Sequence, residues 1–155
     1  MKKINFLRIL SALLLIGCII FIFHNSLQPG VVSEAKSEGT TGFLRKILGV
    51  VMSKFLGDDH YVRKLAHVFE FAVLGILTMV NIKVWNAAKR QFYIGGLCFG
   101  VLIGAIDETI QLFVPGRSGM MTDVLIDFSG FVVGFFLCLM LSLWYNKSQC
   151  AKKST

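Results

Sequence analysis

Charged residues are scarce in this chain. They make up 16% of 155 residues, against about a quarter in an ordinary soluble domain, while 55% are hydrophobic and the mean hydropathy is +0.69. That deficit excludes a soluble globular class and makes the bilayer the solvent. Disulfide frameworks and cysteine metal sites are also excluded: Cys18, Cys98 and Cys138 lie within apolar runs and Cys150 in the C-terminal tail, with no ligand spacing among them. The chain has no His-Glu-x-x-His, no Gly-x-Ser-x-Gly, no Gly-x-Gly-x-x-Gly and no phosphate loop. His67-Val68-Phe69-Glu70 reverses the Glu-x-x-His order of carboxylate-bridged metal bundles. No cofactor and no metal site is therefore expected. His24 and His60 read as solvated loop residues.

Four uninterrupted apolar stretches are present, at residues 6 to 24, 65 to 85, 92 to 114 and 124 to 145. Each can cross ~30 Å of hydrocarbon at ~1.5 Å per residue. They leave no room for a second soluble domain, so residues 1 to 155 read as one membrane domain. Its activity must be built from helix ends, short loops and the one long loop, residues 25 to 64. The expected fold is an all-α membrane protein of four transmembrane helices, with an interfacial amphipathic helix between the first and second. Residues 42 to 56 carry that pattern. Phe43, Leu44, Ile47, Leu48, Val51, Met52, Phe55 and Leu56 recur at spacings of three and four, with Arg45, Lys46, Ser53 and Lys54 largely opposite. A helix packed on the bundle as a lid would show the same stripe. The first apolar run ends in Phe23-His24-Asn25-Ser26 without a small-x-small cleavage pattern, so it reads as an uncleaved anchor.

The formal net charge is +7, but the cations do not share one soluble face, and no nucleic-acid partner is expected. Lys2, Lys3, Arg8, Lys83, Lys89, Arg90, Lys147, Lys152 and Lys153 flank the spans on one side with no acidic residue among them. All nine acidic residues fall in the other loops or in the helix halves nearest those loops. The positive-inside rule then places both termini in the cytoplasm. Trp85, Tyr93, Trp144 and Tyr145, at the same ends, fit the interface there. Gly96, Gly100 and Gly104 in the third span, and Gly130 and Gly134 in the fourth, mark a tightly packed seam.

Glu70, Asp107, Glu108 and Asp127 lie inside predicted spans. Each unpaired carboxylate costs ~2.5 to 3.5 kcal/mol at a bilayer centre, and four together ~10 kcal/mol. They must face one another, cations or water. Counting along the helices puts Glu70, Asp107 and Asp127 within ~5 to 12 Å of the outer boundary. Arg63, His67 and Glu70 share one helical face with Lys64 beside it. Asp107 and Gln111 are one turn apart, Glu108 continues the Gly100–Gly104 line, and Asp123 and Asp127 continue the Gly130–Gly134 line. Arg117 and Ser118 sit in the turn above. Two accounts fit: an ion-paired plug that fixes helix register, or an outward-facing polar pocket for a charged head group. In the second account the arginines bind phosphate, His67 moves protons, and the carboxylates act as bases or hold a hard cation.

The runs Arg63-Lys64-Leu65-Ala66-His67-Val68-Phe69-Glu70-Phe71, Asp107-Glu108-Thr109-Ile110-Gln111-Leu112-Phe113-Val114-Pro115-Gly116-Arg117-Ser118-Gly119 and Asp123-Val124-Leu125-Ile126-Asp127, with Gly130 and Gly134, resemble the VanZ-like membrane protein family. Ser26-Leu27-Gln28-Pro29-Gly30, followed by Ser33 and Ser37, looks like that family's polar turn, and Phe71 stands where the family often has Tyr. The resemblance implies a small multi-pass protein of the bacterial inner membrane. It brings a cell-envelope context and, for some members, lowered sensitivity to the glycopeptide teicoplanin, without an established reaction. The implied partners are the lipid bilayer and a lipid-linked envelope precursor or a glycopeptide. Whether the chain is an enzyme acting on an amphiphilic head group, a binding protein, or a bundle that only docks a partner stays open at this level, as does its oligomeric state.

Overall fold

A backbone in hydrocarbon has no water to bond, so each apolar run must satisfy its own N–H and C=O groups as a helix. The computed structural model describes residues 2–30, 59–87, 89–117 and 119–153. These residues form four helices and no strand: α1 (Lys2–Ser26), α2 (Asp59–Val84), α3 (Arg90–Leu112) and α4 (Met121–Lys153). All four are long and apolar enough to cross a membrane, over Ile4–Ser26, Arg63–Val84, Arg90–Leu112 and Met121–Gln149. The expected amphipathic helix at 42 to 56 lies outside the described residues. α1, α2 and α4 run past these spans, whereas α3 coincides with its own. α4 continues through Lys147, where the Ser148 hydroxyl donates back to the Trp144 and Tyr145 carbonyls.

Contacts at the two ends fix an up-down-up-down order. At one end, Arg8 of α1 reaches the Val84 carbonyl at 3.3 Å and lies over the Trp85 ring at 5.5 Å. At the other end, the last turn of α1 meets α2 and α3 through Asn25 and Ser26, and Lys64 of α2 meets Asp123 of α4 at 2.8 Å. The first of these is the basic end; the second carries the carboxylates.

α2 packs most extensively against α4, and the glycines of the fourth span explain how. A methyl group on Gly130 would overlap the Val68 carbonyl, and one on Gly134 would overlap that of Ala72, one turn along. Gly75 of α2 returns the arrangement by seating against the backbone of Phe131. Without a hydrophobic drive between helices in lipid, this backbone-to-backbone approach supplies the dispersion contact that holds them. The glycines of the third span do a different job. Gly100 and Gly96 make room for the Phe131 and Phe135 rings of α4, which stack at 5.8 Å between centroids. Ile22, Phe71, Leu74, Met79, Ile82 and Ile103 complete the core, while the outward residues of α1, such as Leu13, Ile16 and Ile20, stay exposed for lipid.

One further polar contact crosses between helices, in the basic half. Asn81 of α2 donates to the Ser11 and Leu77 carbonyls at 3.0 and 2.9 Å, and the Ser11 hydroxyl bonds the Asn81 side chain at 3.2 Å. The Asn81 amide, partly buried, is thus satisfied inside the bundle.

Candidate functional site

The turn joining α3 to α4 is built to fold back over the bundle. Gly116 adopts φ +76°, which a residue without Cβ takes at no steric cost. Pro115 accepts the Gly30 N–H at 3.1 Å, and a Cβ on Gly30 would lie only 2.8 Å from the Gly116 carbonyl carbon. The turn and the end of α1 are therefore in direct backbone contact. Arg117 secures them: its Nε donates to the Gln28 carbonyl and its Nη2 to the Asn25 carbonyl, both at 3.1 Å. A guanidinium here bonds one last-turn carbonyl of α1 and one just beyond the helix, and complements the negative end of the helix dipole. Burial, then the nearby Arg63, pull the Arg117 pKa below its ordinary value. Glu108, at the far end of α3, accepts the Met120 N–H at 3.0 Å and braces the start of α4.

Beneath this turn, residues from three helices converge. His67 Nδ1 lies 3.8 Å from Asp107 Oδ2 and 3.7 Å from Asp127 Oδ1. Asp107 is fully buried and Asp127 nearly so. Asp107 is held on both oxygens: the Ser26 hydroxyl donates to Oδ1 at 2.6 Å and Gln111 donates to Oδ2 at 2.9 Å. His67 Nδ1, Asp127 Oδ2, Glu70 Oε2 and Arg117 Nη1 are buried and have no hydrogen-bond partner among the described residues. A cavity of about 80 Å³ sits here, lined by Arg63, Lys64, His67, Glu108, Gln111, Arg117, Asp123 and Asp127 with Gly116, Met120 and Ile126.

Of the residues singled out from the sequence, eight line this cavity and Asp107 lies against it through His67 and Gln111. Glu70 goes elsewhere, accepting from the Asn25 amide at 2.8 Å on the α1 side. Ser118 is outside the described residues. Arg63, His67 and Glu70 share a face only loosely, because three residues of helix turn the chain back by ~60° between His67 and Glu70. That angle sends one side chain toward α3 and α4 and the other toward α1. Asn25 and Ser26 were not among the sequence candidates as polar-cluster residues. Their signal was present as polar residues closing an apolar run.

Four helices long and apolar enough to cross a membrane, three of them lining a polar, mixed-charge cavity, define a multi-pass membrane protein. The family model described as VanZ/LLP1 matches residues 11–143, and the chain belongs to that family. Comparison with curated proteins gave no match, and neither did comparison with solved structures.

Proposed function

We propose that this protein serves in the bacterial cell envelope, as a multi-pass protein of the inner membrane with both termini in the cytoplasm. Its polar site opens outward and binds the charged head group of an amphiphile such as a lipid-linked envelope precursor. In cells this binding would contribute to resistance to glycopeptides of the teicoplanin type. The observation that supports the reading best is the cavity's cationic border. Arg63, Lys64 and Arg117 line one small space, and the Arg117 Nη1 group has no partner among the described residues. A guanidinium presenting a spare N–H pair suits phosphate or carboxylate.

The test is binding of a long-chain alkyl phosphate to the protein in nanodiscs of neutral lipid, followed by native mass spectrometry. The unsubstituted chain retains the phosphate lipid over the matching alcohol, and Arg63→Gln with Lys64→Gln loses that preference; because Lys64 pairs with Asp123, the variant's melting temperature is measured beside its binding. Equal retention of phosphate and alcohol would refute the reading. Drug susceptibility of cells carrying the same variants then reports on the resistance role.

A second reading, a membrane enzyme using acid and base groups on the head group, is favoured by one observation: His67 stands beside two buried carboxylates. It requires turnover of the bound lipid, which the same mass spectra would register as a changed mass.

A further inference from the structure

On the floor of the cavity, the donor atoms of His67, Asp107 and Asp127 lie within 4.8 Å of one another. We infer that these three side chains, from α2, α3 and α4 respectively, form a binding site for a divalent ion of the Mn²⁺ or Zn²⁺ class. The inference does not depend on the head-group reading above.

Three features carry it. First, the spacing is wrong for hydrogen bonds and close to right for shared ligation. At 3.7 and 3.8 Å, His67 Nδ1 is too far from the two aspartates for a hydrogen bond. An ion ~2.0 to 2.2 Å from each donor in tetrahedral array needs donors ~3.4 Å apart; the two separations from His67 exceed that by a few tenths of an ångström, and the two carboxylate donors lie within 4.8 Å of each other. Second, Asp127 is 1% exposed, yet its Oδ2 has no hydrogen-bond partner among the described residues, and neither has His67 Nδ1. A buried carboxylate oxygen left so is costly, and both side chains line the cavity. Third, the two ligating carboxylates match the charge of one divalent cation, while the border cations Arg63, Lys64 and Arg117 share the cavity with Glu108 and Asp123.

The donor set narrows the ion. One imidazole with two carboxylates suits Mn²⁺ or Zn²⁺, whereas Ca²⁺ takes six to eight oxygens. The protein also supplies the outer support that ligating carboxylates need: Ser26 and Gln111 hold Asp107 by one oxygen each. With three protein donors, the remaining positions on the ion face the cavity, as in open metal sites. The sequence hides this arrangement because no two of the ligands share a helix.

The experiment uses the full chain in detergent, freed of metal by chelator dialysis, without added lipid or phosphate. Zn²⁺ is titrated against a chromophoric indicator and Mn²⁺ by electron paramagnetic resonance. One ion binds per chain and raises the melting temperature. His67→Gln and Asp127→Asn lose the ion, and Gln111→Ala and Ser26→Ala weaken it by about 10- to 100-fold, the usual effect of an outer support. Replacing all four cysteines by Ser, and His24 by Gln, leaves binding intact. X-ray absorption of the unsubstituted, metal-loaded protein shows nitrogen and oxygen ligands and no sulfur, which decides the matter even if a ligand variant fails to fold. Absence of binding, sulfur ligation, or binding that survives His67→Gln would overturn the site. None of these outcomes bears on phosphate retention by Arg63 and Lys64.

Discussion

Replacing Gly130 by Ala adds one methyl group where α4 lies backbone to backbone on α2. The added carbon would stand 2.9 Å from Val68 Cα and 3.0 Å from the Val68 carbonyl carbon, with the oxygen nearer still. Ordinary contact begins near 3.4 Å, so the helices must part by about half an ångström for the carbons and by roughly 1 Å for the oxygen. A gap of that size forfeits a quarter to a half of the dispersion attraction of each facing pair, and overpacking of this kind costs ~1 to 3 kcal/mol. Alanine returns part of that through helix propensity, up to ~1 kcal/mol. Gly17→Ala isolates this gain, since a Cβ there meets nothing within 4 Å. The difference between the two variants should thus be ~1 to 3 kcal/mol, or several degrees in melting temperature for a chain of this length. Tryptophan fluorescence from Trp85 and Trp144 in detergent reports it. Gly134→Ala, against Ala72, should behave like Gly130→Ala. If both melt together with Gly17→Ala, the close approach of α2 and α4 does not hold the bundle.

Two further outcomes are expected. Asn81→Ala should destabilise the chain by about 1 kcal/mol, the scale of hydrogen bonds between helices in lipid; Ser11→Ala should cost less, and the pair should be less than additive in thermal unfolding, because Asn81 and Ser11 bond each other. Additive losses would show that they act separately. In whole cells, after Cys18, Cys98, Cys138 and Cys150 are replaced, single cysteines at Ser37 and Arg117 should react with an impermeant thiol reagent and one at Lys89 should not; the reverse pattern would invert the proposed orientation.

The four spans were legible because hydrophobic run length is a nearly sufficient signal in a bilayer. The convergence of polar groups near one end was legible because unpaired carboxylates in hydrocarbon are too costly to scatter. Less legible was what each glycine faces. Spacing shows that Gly96, Gly100, Gly130 and Gly134 lie on stripes, but not that the first two accept phenyl rings and the last two accept backbone. The role of α1 was also hidden. Read as an anchor, it contributes through its last turn, where Asn25 and Ser26 hold Glu70 and Asp107. Attention to ionisable residues alone also passes over Ser11 and Asn81, neutral groups that bridge helices. Such pairings depend on which helices become neighbours, and periodicity within one helix carries no information on that.

The contacts of α2 explain why the site can be both polar and fixed. Near the carboxylate end its rotation is set by two side chains about 60° apart on the helix: His67 faces Asp107 and Asp127, while Glu70 accepts from Asn25. Further along, Ala72 and Gly75 lock the same helix against α4 through backbone contact, and toward the basic end Asn81 ties it to α1. Turning α2 to improve any one of these contacts would spoil the others. The polar atoms at the cavity floor are thus held in position by packing they do not take part in, so His67 Nδ1 and Asp127 Oδ2 can stay without hydrogen-bond partners among the described residues. Cooperative restraint of this kind is what a preorganised site requires. Variants in the glycine seam should therefore change stability and site together.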